Sequence, residues 1–222
     1  MPNEPSTPVP HPDADDRGTP DQPAASGPER SVQRVTDPVT LRALAHPTRL
    51  GLLGLLRSRG PLTATQAAGL IGESSASCSF HLRQLAKYGL IEEAGTGRGR
   101  ERPWRAVAMF TDVPELAEDP DLAEAAGQFR AVIVERYFAQ LRRWLEVRAD
   151  EPAEWQQAAQ LGDTLLYLTA AELTELGDQV RALTDRYIGR LTDPGSRPPD
   201  ARLVGYLHLA FPLAGDQPGD TR

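Results

Sequence analysis

Between Pro38 and Tyr88 the chain carries four short helical patterns, each closed by turn residues, and this punctuation constrains the fold more than any other feature. Leu41, Leu44 and Ala45 make one short apolar face, with Asp37 placed as its N-cap and Pro38 at the first helical position. His46-Pro47 interrupts it. A second helix follows with Leu50, Leu53, Leu55 and Leu56 as its buried stripe, ending near Gly60-Pro61. Thr63 and Gln66 form a capping box for a third, whose inner face is Ala67, Leu70 and Ile71 and which Gly72 stops. In the fourth, from about Ser75 to Tyr88, Cys78, Leu82 and Leu85 recur at i, i+4 and i+7, and Gly89 is the natural C-cap.

Leu90-Ile91-Glu92-Glu93-Ala94 then reads as a strand, Gly95-Thr96-Gly97-Arg98-Gly99-Arg100 as a hairpin tip, and Arg102 to Ala108 as the return strand. Helix, helix, helix, turn, helix, hairpin is the order of a winged helix-turn-helix.

Charge divides along the same boundaries. The 222 residues sum to −7, but residues 1–37 carry −4, residues 38–110 carry +6 and residues 111–222 carry −9. A basic block between two acidic ones implies one module that meets a polyanion. Residues 1–37 hold eight prolines and almost no large apolar side chain, so a disordered, acidic tail is expected there. Residues 38–110 are the expected DNA-binding domain and 111–222 a helical dimerisation and effector region. The single cysteine, Cys78, excludes an intramolecular disulfide and a thiolate-only metal site. The longest apolar run, Leu50 to Leu56, is far short of the roughly 20 residues of a spanning helix. No basic, apolar leader opens the sequence, so the expectation is a cytoplasmic protein without a membrane partner.

Two stretches resemble a family. Leu41-Arg42-Ala43-Leu44-Ala45-His46-Pro47-Thr48-Arg49-Leu50 is similar to the opening of ArsR-type winged-helix regulators. Ser79-Phe80-His81-Leu82-Arg83-Gln84-Leu85, followed by Gly89-Leu90-Ile91, is similar to their recognition helix and its exit into the wing. The resemblance covers about residues 38–108 and implies a dimeric transcriptional repressor. Metal-sensing members carry paired cysteines, where this chain has Cys78 alone.

At about 100° per residue, a core line through Cys78, Leu82 and Leu85 puts Phe80, Arg83 and Lys87 on the opposite face, with Ser79 and Gln84 on its flanks. That face suits a major groove: Arg83 can donate twice to guanine, Gln84 can pair with adenine, and the hydroxyls of Ser75, Ser77 and Ser79 can reach bases or phosphate. Phe80 either meets a thymine methyl or packs on a neighbouring element. His81, about 60° off the core line, is either a helix-surface histidine or a DNA contact. Cys78 and His81 have a spacing that two metal ligands could share, but further ligands would have to come from distant residues such as His46 or His208; no metal is expected. In the wing, over residues 95–105, Arg98, Arg100, Arg102 and Arg105 face one Glu101, a composition suited to phosphate or the minor groove.

The C-terminal half opens with a helical pattern from Asp121 to Arg148 with a broad apolar stripe, and a second helix starts at Pro152 and runs to about Leu161. Thr164 to Leu168 reads as a short strand, Thr169 and Glu172 cap a helix reaching about Ile188, and Leu203, Gly205, Leu207, Leu209 and Phe211 alternate with Arg202, Val204, Tyr206 and His208 as a last strand with one apolar face. The expected fold is therefore mainly α with a small β component, its C-terminal region holding a strand-helix-strand unit. Nine of the thirteen aromatics lie between Phe129 and Phe211, either as core and dimer seam or as a pocket for a small apolar or aromatic effector. A single winged helix reads few base pairs, so a homodimer through residues 110–150, helped by the first helix, on a palindromic duplex is expected.

Two rival classes find less support in the residues. An enzyme finds no support in motifs: there is no His-Glu-x-x-His, no Walker glycine loop and no Gly-x-Ser-x-Gly, and no catalytic residue or cofactor is expected. A winged helix that binds protein rather than DNA would call for a neutral or acidic wing, against the arginines present here.

Overall fold

A computed structural model of the chain describes residues 31–95 and 102–213. The chain enters as a strand, β1 (Val32–Arg34), paired in parallel with β4 (Phe110–Asp112) in the register Val32 to Phe110. Residues 31–37 thus depart from the expected tail. Val35 explains it, because the one large apolar residue beside this strand is buried in the core.

Helix α1 (Pro38–Leu44) begins as expected, the Asp37 carboxylate accepting from the backbone N–H of Val39 and Thr40. Helix α2 (Pro47–Arg59) is capped by His46, whose Nδ1 accepts from Thr48 N–H at 3.2 Å. Its buried side chains are Leu50, Leu52, Leu53 and Leu56. Leu55, expected inside, lies about 130° round the helix from the centre of that group and is half-buried, while Leu52 takes its place.

Helix α3 (Ala64–Ile71) carries the Thr63–Gln66 capping box, and Gly72 ends it in the left-handed region at φ 73°. Ala67 and Ala68 face inward, whereas Leu70 is 46% exposed, contrary to expectation. Small side chains let α3 lie close against helix α4 (Ser75–Lys87), which rotates Leu70 outward. In α4 Cys78, Leu82 and Leu85 are fully buried, and Ser74 caps its start by accepting from Ser77 N–H.

Gly89 (φ 66°) turns the chain into β2 (Ile91–Glu93), which pairs antiparallel with β3 (Trp104–Ala106) in the register Ile91 to Ala106. Leu62 exchanges two backbone hydrogen bonds with Trp104, so the connection between α2 and α3 lies along the hairpin edge.

Helix α5 (Pro120–Val147) is capped by Asp119. Its first half packs on α1 and buries Ala125, Ala126 and Phe129, and Arg42 pairs with Asp121 across the seam. A short 3-10 turn (Arg148–Asp150), α6 (Ala153–Ala158) and α7 (Ala170–Thr192) follow, α7 opening on the expected Thr169–Glu172 capping box and touching α2. The fold is mainly helical with a few short strands. The strand-helix-strand unit is incomplete: residues 164–168 and 202–211 form no ladder, because no strand among the described residues pairs with them. Of the nine C-terminal aromatics only Phe129 is buried, so they do not fill a core within one chain.

Candidate nucleic-acid interface

The break at Gly72–Ser74 presents the start of α4 outward. Ser75 is exposed and Ser77 and Ser79 are half-buried, so small side chains surround a helix N-terminus whose first N–H groups point to solvent. One turn on, Phe80 is 51% exposed. Arg83 and Lys87 are exposed on the same side and Gln84 is half-buried on its flank. Arg83 has no hydrogen bond or ion pair with the described residues, and the Lys87 ammonium sits 5.5 Å from the centre of the Tyr88 ring. The core triad beneath them fixes this orientation, as the helical spacing predicts.

His81 occupies neither of its expected places cleanly. Its ring stacks on His46, with centroids 4.6 Å apart, and meets the edge of Phe80 at 5.2 Å. Its Nδ1 is buried without a hydrogen-bond partner. Burial, then the positive charge of Arg49, hold its pKa below the ordinary histidine value, with Glu73 opposing; His46 is lowered by burial, Arg49 and His81. Arg49 itself is tethered to the carbonyl of Ala43 at the end of α1. The side of α4 that carries His81 is thereby joined to the α1–α2 corner. The sequence signals this contact only weakly, since the two histidines are thirty-five positions apart.

The wing base carries charge that is already paired. Arg102 Nη1 donates to both carboxylate oxygens of Glu93, at 2.8 and 2.7 Å, and Arg105 pairs with Glu92 at 2.8 Å. Arg102 was expected on phosphate; in the free protein it is engaged across the hairpin, because β-pairing sets its strand beside a glutamate. That pairing follows from the register Glu92 to Arg105 and Glu93 to Trp104, which the sequence pattern leaves open. Arg98 and Arg100 lie outside the described residues.

Cys78 is buried and its thiol pKa is pushed up by that burial, which makes it a core side chain. Among the described residues no group of three or more histidine, cysteine, aspartate or glutamate side chains is placed to hold a metal ion. No helix among them is long and apolar enough to cross a membrane.

Residues 44–94 match the model of a helix-turn-helix domain family, a span running from the end of α1 to just beyond β2. The chain is similar to a solved structure of a possible transcriptional regulator for arsenical resistance, at 29% identity over 51% of this chain and 96% of that one, with a TM-score of 0.28. It is also 28% identical over 147 residues, 66% of its length, to the tRNA modification GTPase MnmE of Sodalis glossinidius (strain morsitans). The chain spans 30% of that protein's length.

Proposed function

We propose that the chain is a sequence-specific DNA-binding transcriptional regulator that inserts α4 into the major groove. The observation that carries this is the outward face of α4, where an unpaired Arg83 stands beside Gln84, Phe80 and a serine-rich helix start on a helix-turn-helix scaffold. A guanidinium with no partner among the described residues has no ion pair to break before it meets guanine O6 and N7, and small residues at the helix start let it enter deeply. Ser75, Ser77, Ser79 and Lys87 would meet phosphate or base edges, and Phe80 a thymine methyl. Arg98 and Arg100 at the wing tip would take the backbone or the minor groove, and Arg102 would join them only on leaving Glu93.

The reading continues to an ArsR-type repressor that acts as a homodimer on a palindromic operator. Support comes from the motif resemblance over residues 38–108 and from the second half of α5, whose Phe138, Leu145 and Val147 are exposed. Two modules about one DNA turn apart add their contacts, and a compact dimer on a promoter excludes polymerase without further parts. A small apolar or aromatic effector in the C-terminal region completes the reading, and a cytoplasmic location goes with it.

An electrophoretic shift with the DNA upstream of the chain's own gene tests the core claim. A shift that random competitor DNA removes only at large excess is expected; no shift at low salt with any genomic fragment overturns it. A reporter fusion in a deletion strain tests direction, and lower expression on deletion would mean activation.

A further inference from the structure

The buried core stops at Phe129: no side chain from residues 130–213 is buried. Yet these residues hold large apolar groups in ordered chain, with Tyr167 94% exposed, Tyr206 67% and Phe211 68%. On α7, Leu176, Leu183 and Tyr187 are exposed and fall within about 40° of one another round the helix, a narrow apolar stripe left open to solvent except where the Arg190 guanidinium lies 5.1 Å over the Tyr187 ring at its end. Ordering segments like these without burying them gains nothing against the conformational entropy lost.

The two non-helical stretches have a specific need. Residues 203–211 alternate with period two, the signature of a strand, but their backbone N–H and C=O groups join no ladder, and the same holds for 164–168. A small ligand cannot satisfy a row of such groups; another strand can. If the two stretches of one chain met each other, the sheet would have two strands, fewer than the three or more that an independent sheet needs. Two chains supply four, and two α7 helices to cover them.

We propose that the C-terminal halves of two copies of this chain complete one shared sheet, in which residues 164–168 and 203–211 of both pair as strands under the apolar stripes of α7. This rests on the homodimer proposed above and adds to α5 a second closing surface. Position supports it: Arg202, just before the second stretch, is tied to Glu151 at 2.8 Å and lies over the Trp155 ring. The stretch therefore starts beside the junction into α6, a few residues along the chain from the exposed Leu145 and Val147. Area supports it too. Tyr167, Tyr206 and Phe211, at about 150–250 Å2 each, together with the leucines beside them, offer on the order of the 800 Å2 per partner that a stable pair requires. Charge does not oppose it: Asp178 lies on the far side of α7, and the charges nearest the stripe, Glu172 and Arg190 at about 40° from its centre, are opposite in sign.

Amide hydrogen exchange on the full-length chain, run above and below its dimer dissociation constant as set by sedimentation, is the test. Amides of 203–211 are expected to exchange about 100-fold slower in the dimer than in the diluted monomer. Fast exchange in a proven dimer overturns the shared sheet and leaves the α5 dimer standing; equal slowing in the monomer overturns it in favour of pairing within one chain. A chain monomeric at every concentration removes the dimer itself, and the shared sheet with it. Independently, the double variant Leu207→Glu, Leu209→Glu is expected to raise the dimer dissociation constant at least about tenfold with helix content kept. An unchanged constant overturns the proposal.

Discussion

The imidazole of His81 on α4 stacks on that of His46, the N-cap of α2, at a centroid separation of 4.6 Å and an interplanar angle of 36°. One ring belongs to the helix proposed to read DNA and the other to the corner that supports it. The contact therefore joins the orientation of α4 to the protonation of two histidines.

Both pKa values lie below the ordinary 6.5, held there by burial first and by Arg49 next. The folded state thus binds fewer protons than the unfolded one as pH falls through 6.5, so stability is full above that value and is lost progressively until the folded-state pKa values are passed. Thermal melts should show a lower midpoint at pH 5.5 than at pH 7.5. His81→Phe should flatten that dependence; an unchanged slope would mean that the stack does not carry it.

Arg83 and Arg102 should behave differently on DNA. Arg83→Ala is expected to cost about 1–3 kcal/mol of discrimination between operator and random sequence. Arg102 is already held by Glu93, so Arg102→Ala should weaken binding less than Arg100→Ala does. Glu93→Gln frees a cation and should steepen the salt dependence, the slope of log K against log salt growing by about 0.9. Anisotropy titrations from low to moderate salt measure all four variants.

Local patterns were the legible part of this fold. The caps at Asp37, Thr63 and Thr169 and the triad Cys78, Leu82, Leu85 depend on neighbours within a few positions, and the structure has all of them. What depends on distant chain was not legible. β1 forms because Val32 meets Phe110, and nothing in Val32-Gln33-Arg34 announces that partner. Five leucines in α2 define no single stripe until α4 is set against it, which is why Leu52 and not Leu55 is buried. In the site, the exposed face of α4 followed from helical spacing, whereas the Arg102–Glu93 pair needed the hairpin register and the His46–His81 stack needed the tertiary fold.

Arg57 links α2 to the strand region. Its Nε donates to Ala108 C=O at 2.9 Å and its Nη2 to Thr111 Oγ1 at 2.8 Å, and burial brings its pKa down to about 10, still charged at neutral pH. Charge-assisted bonds of this kind contribute about 1.5–3 kcal/mol each, and their loss leaves acceptors unsatisfied. Arg57→Ala should lower the unfolding free energy in urea by about 2–4 kcal/mol. Arg57→Lys should recover less than half of that, since one ammonium cannot reproduce the guanidinium fork. Full recovery would mean that charge alone matters there.

Gly54 sits beneath Arg136 of α5. A Cβ at position 54 would lie 2.8 Å from Arg136 Nη2, and one at Gly51 3.5 Å from Nη1. The obstructing atom is the end of a flexible side chain, so Gly54→Ala sets a displaced guanidinium against the gain of about 1 kcal/mol that alanine brings to a helix interior. The single change should leave stability within about 0.5 kcal/mol of the parent. With Arg136→Ala already made, the obstruction is gone, and the same change should stabilise by about 1 kcal/mol. A double-mutant cycle in urea measures the difference. Strict additivity would place Arg136 elsewhere than over Gly54 and would loosen the seam between α2 and α5 on which the relation of the N-terminal helices to the C-terminal half depends.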